Sequence, residues 1–416
     1  MFQQLFCSPA LVRPHEDGPA ERDRKAYLEY LAKQGYGRPY LRRIANDLLL
    51  IATELDIERG GIISVGKIQG AARRLMQRPP RGRGEPLSTA AAASFSTVAR
   101  QWCRFLNRLH VPPRPHARFS AELAAYAAYL TNERGCTPTT VEGRKRHLKR
   151  FLDHYGRTDR SLSALEAQDL DGFLIRLADR GWCRRSVITV TNELRPFIRF
   201  GAQRAWWPAR LVDAMLTPRL YREEQLPIGP TWDDVTRLLA SADGDSPRDI
   251  RDSAILRLLA IYGLRACEVC ALRLDDVDWT GGRLMISRAK RRGEQVYPLV
   301  SSVAASIARY LQVVRPVSNR RNIFLALQQP WRPIRPSNIY TAVSRRFRSL
   351  GITYPRHLGP HSLRHASAQR LLSEGLSMKE IRDHLGHRSA SSTRVYAKVD
   401  LSALRSVAAI TLEGVR

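Results

Sequence analysis

Six residues in the C-terminal half of the chain carry groups that can work on a phosphodiester. They are Arg265 in GLRACEV, Lys290 in RAKRRGEQVYPL, His361 and Arg364 in PHSLRH, His387 in LGH, and Tyr396 nine residues further on. Two guanidinium groups can hold the non-bridging oxygens of one phosphate and stabilise the charge that develops on them. Imidazole moves protons near neutral pH, and a phenol that gives up its proton is a nucleophile. His361 and Arg364 are three apart, so a helix projects both from one face. Such a set can break and rejoin a nucleic-acid strand without a metal ion.

Lysine usage sharpens this. The chain has eight lysines among 68 basic residues, and Lys290 is the only one between Lys149 and Lys379. Arginine serves solubility and phosphate contact but does not release a proton at usable pH. A lysine does so when desolvation or neighbouring cations lower its pKa, so Lys290 reads as a proton donor. Metal chemistry is the weaker reading. His361 with His365, and His384 with His387, have ligand-like spacings, yet neither pair carries a carboxylate in an HExxH arrangement and basic residues crowd both. Cys267 and Cys270 form one CxxC without a second pair and read as small core residues of a helix. Neither a metal nor a cofactor is expected.

The elements that must position these residues follow from periodicity and punctuation. DIRDSAILRLLAIYGL is an apolar-striped helix running into Gly263, Arg265 to Leu272 form another short helical stretch, and DDVDWTGG reads as a loop. RLMIS and QVYPLV alternate as strands around the turn that holds Lys290. SSVAASIARYLQVV is a helix starting near Ser301, NIFLAL a short strand, and SNIYTAVSRRFRSL a helix. The segments around His361 and Arg364 and around SMKEIRDHLGH are helical. Upstream, Pro- and Gly-rich breaks occur at 78–86, 111–119, 206–220 and 226–230. Two upstream stretches resemble one another: Gly35, Leu41, Leu48, Ile51 and Leu55 correspond to Gly135, Val141, Leu148, Phe151 and Tyr155 at an offset of one hundred. The expected organisation is a flexible leader over 1–20, a helical module over 21–112, a related module over 113–212, a linker over 213–226 and a mixed domain over 227–416. The fold class is multidomain and mainly α, with helical modules that bind DNA and an α+β catalytic domain containing a small β-hairpin sheet.

Composition agrees with a polyanionic partner. The 416 residues include 68 Lys+Arg against 39 Asp+Glu, a formal charge of +29. That excess attracts nucleic acid over long range and releases its condensed counterions on binding. No apolar run of about 18 residues suggests a membrane span. The first twenty residues make a poor signal peptide, and six scattered cysteines suit a reducing compartment better than a disulfide framework. A cytoplasmic, nucleoid-associated location is expected.

The ordered set Arg265, Lys290, His361-x-x-Arg364, His387 and Tyr396 resembles the active site of the tyrosine recombinases, the phage integrase family. About 190 residues resemble it strongly, and 113–212 more weakly resembles the family's core-binding domain. The resemblance implies that Tyr396 attacks the scissile phosphate to give a 3′-phosphotyrosyl link, conserving bond energy so that rejoining needs no ATP. It implies that Arg265 and Arg364 clamp the phosphate, Lys290 protonates the 5′-oxygen, His361 assists proton transfer and His387 hydrogen-bonds the phosphate. Glu268, one turn after Arg265, is a candidate for orienting the site from behind.

The implied activity is site-specific recombination through a Holliday junction, serving integration or transposition of a mobile element. A resolvase of plasmid or chromosome dimers with the same chemistry is the alternative, and a non-catalytic DNA-binding protein a third reading. The implied partners are double-stranded DNA and a homo- or hetero-tetramer formed on it, with other recombinases or accessory DNA-bending proteins, and no membrane. The N-terminal module reads either as an arm-type DNA-binding domain or as a duplicated clamp. The tail after Tyr396 docks on a neighbouring subunit or on its own domain.

Overall fold

The computed structural model describes residues 1–77, 88–111, 118–215, 229–288, 293–353 and 358–386. They fall into two compact units, one drawn from 1–109 and from 225 onward, the other from 110–224. The fold is mostly helical, as expected.

Among the described residues, six α-helices precede residue 110: α1 (Phe2–Leu5), α2 (Pro9–Glu16), α3 (Glu21–Lys33), α4 (Arg38–Leu55), α5 (Val65–Met76) and α6 (Thr89–Phe105). Leu41, Ile44, Leu48, Ile51 and Leu55 recur at helical period on α4 and lie buried, which is why this segment folds as one amphipathic helix. The expectation of a flexible leader over 1–20 is corrected here. Phe2, Leu5, Phe6 and Val12 are buried in the same core as α3–α6. Arg24 of α3, itself fully buried, donates to the carbonyls of His15, Gly18 and Pro19. Burying four large apolar side chains contributes several kcal/mol, enough to order a short segment.

The second unit contains α7 (Ser120–Asn132), α8 (Pro138–Tyr155), α9 (Ala167–Asp179), α10 (Arg184–Gln203) and the short α11 (Leu211–Ala214) around its own core.

From residue 231 the chain forms α12 (Trp232–Ala240), α13 (Pro247–Ile261) and α14 (Ala266–Ala271). Next comes a three-stranded antiparallel sheet of β1 (Val277–Asp278), β2 (Arg283–Arg288) and β3 (Gly293–Pro298), in that order. α15 (Ser301–Arg309), α16 (Pro336–Ser349), α17 (Pro360–Ser373) and α18 (Met378–Leu385) follow. α13 is the central element, buried along most of its length; Ser246 caps it and Pro247 supplies a preset first turn.

Three local differences from expectation have physical causes. The DDVDWTGG loop contributes β1, whose Val277 pairs with Leu284. The helix from Ser301 ends at Arg309 and continues as a π-helical turn, Tyr310–Val314. NIFLAL forms no strand: Ile323, Phe324 and Leu325 are buried, and the N–H groups of Ile323, Leu325 and Ala326 go to Leu272 O, Tyr310 Oη and Arg332 O. With its donors spread over separate partners, the segment makes isolated antiparallel bridges, Asn322 with Arg273 and Leu325 with Pro333, rather than a continuous ladder.

Candidate active site

The site begins where α13 stops. Gly263 has φ +60°, a conformation that disfavours side chains, and a Cβ there would lie 2.4 Å from Leu385 Cδ2. This turn sends Arg265 to the start of α14. The Glu268 carboxylate accepts from the Arg265 backbone N–H (2.9 Å) and from Arg265 Nη1 (2.7 Å), joining the helix cap and the guanidinium in one group.

The far wall is the C-terminal end of α18. Ser377 and Glu380 form its capping box, and Gly386 closes it with φ +62°. The last carbonyls of a helix have no partner within it and carry partial negative charge. Here cationic and phenolic donors take them. Arg364 Nη2 donates to Leu385 O (2.5 Å), Arg265 Nη2 to Gly386 O (3.4 Å) and Arg288 Nη2 to His384 O (3.1 Å). Tyr297 Oη also donates to His384 O, and Gln295 Nε2 donates to Asp383 O (2.8 Å). Arg364 Nη1 reaches back to Gly263 O (2.5 Å). Arg265 and Arg364 therefore bond consecutive carbonyls, immediately before His387 in the chain.

Arg364 is only 1% exposed. His361, one turn earlier on α17, is exposed, with its ring 4.8 Å from that of His365. Arg265 is about one-fifth exposed, so of the two arginines it is the one with more access to solvent. Lys290, His387 and Tyr396 lie outside the described residues. Cys267 is exposed and Cys270 half-buried, with burial pushing the Cys270 thiol up to about 12. Among the described residues, no three or more His, Cys, Asp or Glu side chains are grouped as a metal ion would need.

Sequence reading missed Arg288, Gln295 and Tyr297. Arg288 is 2% exposed; its Nη1 donates to Glu268 Oε2 (2.7 Å), its Nε to Gln295 Oε1 (2.9 Å) and its Nη2 to Tyr297 Oη. A signal was present. Leu284, Ile286 and Arg288 alternate onto the buried face of β2, so an arginine stands where the strand's period calls for an apolar residue. An inward arginine demands a buried acid, and Glu268, whose side chain is fully buried, is that acid. Burial pushes the Tyr297 phenol up to about 12, keeping it a neutral donor.

His384 packs edge-on against Tyr297, with ring centres 5.3 Å apart. Burial, then the nearby Arg288 and Arg364, depress its pKa below the usual 6.5, although a bond to the Ile261 backbone opposes them. The fold favours neutral His384, and the unfolded chain takes up the proton first. Its contribution to stability is complete above pH 6.5 and is lost as pH falls below that value. Urea unfolding at pH 7.5 and 5.5 should show this loss in the wild type and a smaller one in His384→Gln.

Comparison with known proteins bears on what this arrangement belongs to. Residues 231–402 match the phage integrase family. The chain is 34% identical to integrase/recombinase y4rA of Sinorhizobium fredii, over 96% of both chains. It is 28% identical to tyrosine recombinase XerD of Listeria monocytogenes, over 67% of this chain and 94% of that protein. The fold is similar to that of the Tn1549 transposon integrase bound to transposon right-end DNA, with a TM-score of 0.54 and 17% identity over 69% of this chain and 98% of that one. Fold and relatives thus define an enzyme class that cleaves and rejoins DNA strands. The chain belongs to the phage integrase family of tyrosine recombinases, and its activity is site-specific recombination. Among the described residues no helix is long and apolar enough to cross a membrane.

Proposed function

We propose that this recombinase integrates or transposes a mobile element, cutting double-stranded DNA through a 3′-phosphotyrosyl intermediate at Tyr396 and exchanging strands through a Holliday junction. The observation that carries the chemistry is the convergence of Arg265 and Arg364 on the carbonyls that precede His387. In this reading the two guanidinium groups bind the scissile phosphate. They stabilise its transition state in a site whose donors are already held in place. His361 assists proton transfer at the Tyr396 hydroxyl, His387 hydrogen-bonds the phosphate, and Lys290 protonates the departing 5′-oxygen. Glu268 orients Arg265 from behind.

Integration is favoured over dimer resolution by the reach of the likenesses. That to y4rA runs through 96% of this chain, whereas that to XerD leaves about a third of it unmatched. The working assembly is a tetramer on DNA, and the place of action the nucleoid in the cytoplasm.

Lys290→Arg separates the proton-donor role from phosphate binding. It should bind DNA as the wild type does and cleave about 10²–10⁴-fold more slowly. A 5′-phosphorothiolate substrate, whose sulfur leaves without needing a proton, should restore the rate. Failure of that rescue would remove Lys290 from the role.

A further inference from the structure

Burying an arginine is unfavourable unless something is gained by it, and β2 holds one at its inward-facing end. Leu284 and Ile286 fill the preceding inward positions, and Arg288 follows them at 2% exposure. Apolar packing in place of a buried ion pair is often as stable or more so. Nor does Glu268 by itself require Arg288. That carboxylate already accepts from Arg265 Nη1 and from the Arg265 backbone N–H. What a guanidinium supplies, and an apolar side chain cannot, is a planar set of directed donors.

Each guanidinium nitrogen is engaged, and the bonds run to separate elements. Nη1 donates to Glu268 Oε2 on α14 (2.7 Å), and Nε to Gln295 Oε1 on β3 (2.9 Å). Nη2 donates to Tyr297 Oη on β3 and to His384 O on α18 (3.1 Å). Gln295 and Tyr297 extend the link, since Gln295 Nε2 and Tyr297 Oη both donate to carbonyls of α18. Gly386, just past α18, lies so close that a Cβ on it would be 2.8 Å from Arg288 Nε. Arg288 also pairs with Gly293 at the end of the β2–β3 ladder. Residues 289–292, Lys290 among them, join the two strands from that pair. One side chain thus ties the base of the Lys290 segment to α14, which Arg265 caps. It ties the same base to the carbonyl end of α18, which Arg265 and Arg364 also hold.

We propose that Arg288 is the positioning residue for Lys290, fixing the strand that leads to it against the wall that Arg265 and Arg364 share. The proposal rests on the proton-donor reading of Lys290 and says how the chain aims that donor. A leaving oxygen needs its proton as the P–O bond breaks, and misplacing a reacting group by about 1 Å can cost on the order of 100-fold in rate. In this role Arg288 acts through Lys290 rather than on the DNA.

The test uses the full chain and a suicide duplex carrying its recombination site, with either oxygen or sulfur at the scissile 5′ position. Sulfur leaves without a proton, so the ratio of sulfur to oxygen cleavage rates reports proton donation rather than folding or DNA binding. Arg288→Lys keeps a positive partner for Glu268 but loses the fork. It should bind the duplex as the wild type does and cleave the oxygen substrate about 10–100-fold more slowly, and the ratio should rise by a similar factor. Tyr297→Phe lacks the phenol that joins Arg288 to His384, and should raise the ratio about 2–10-fold, the worth of one hydrogen bond. The comparison is Arg346→Lys. Arg346 is 6% exposed and bonds Ser241 O, Asp249 and Asp252, and its loss should leave the ratio at the wild-type value.

An unchanged ratio in Arg288→Lys overturns the proposal, whether or not the oxygen rate falls. So does an equal rise in Arg346→Lys, which would make any loosening of the domain sufficient. If Arg288→Lys fails to fold, Tyr297→Phe decides alone, and a wild-type ratio there overturns the proposal. Lys290→Arg tells the two readings apart. If sulfur rescues it but not Arg288→Lys, the positioning role falls alone. If sulfur rescues neither, the proton-donor reading falls and takes the positioning role with it.

Discussion

Tyr396→Phe should yield no covalent protein–DNA adduct on a suicide substrate, while gel-shift binding to the same DNA should persist. Removing a single hydroxyl changes little in size or apolarity, so folding and DNA contact should survive. On the proposed assignment the reaction loses its nucleophile, and a lost nucleophile costs on the order of 10⁴-fold or more in rate. Denaturing gel electrophoresis of a nicked substrate reads the result directly, because a phosphotyrosyl link survives detergent. An adduct that persisted in the variant would place the bond on another side chain and end the assignment of Tyr396.

The second large effect is on stability as well as chemistry. Glu268→Ala removes a fully buried carboxylate that accepts from Arg265 Nη1, the Arg265 backbone and Arg288 Nη1. The buried Arg288 guanidinium then has no acid, and breaking a buried ion pair from one side costs about 3–5 kcal/mol. Denaturant unfolding should show a loss of that size. Replacing both partners, as in Glu268→Met with Arg288→Met, should recover much of the stability, because no buried charge of the pair is then left alone. Cleavage should stay about 10–100-fold down in both variants, since Arg265 loses the group that orients it. A Glu268→Ala protein within about 1 kcal/mol of wild type would show that Arg288 does not depend on this carboxylate.

The contrast between Lys290 and Arg288 shows which residues sequence reading could reach. Lys290 stood out because its type is rare in its stretch, a property of composition. Arg288, two residues earlier, sits among many arginines. Only its inward place on β2 and its bonds to Glu268, Tyr297 and His384 distinguish it. Gly263 and Gly386 are similar cases. Each reads locally as a helix stop, yet a Cβ at Gly263 would meet Leu385, and one at Gly386 would lie 2.8 Å from Arg288 Nε. The first twenty residues misled because polar and apolar residues alternate there without a long stripe. Their burial depends on the surface that α3 and α4 offer, not on their own pattern.

Taken alone, the chain of residue types determined the chemistry on offer, the order of the residues that carry it and the helices that hold several of them. Residue type sets what a group can donate or accept, and helical and strand periods are local. Tertiary structure decided that donors from four elements share the carbonyls ending α18, with Arg265 and Gly386 meeting across 121 residues and Arg364 and Gly263 across 101. It also decided that Arg364 is sealed in while His361 is exposed. Contacts over such separations depend on how helices pack, and no local periodicity encodes which carbonyl a distant guanidinium will find.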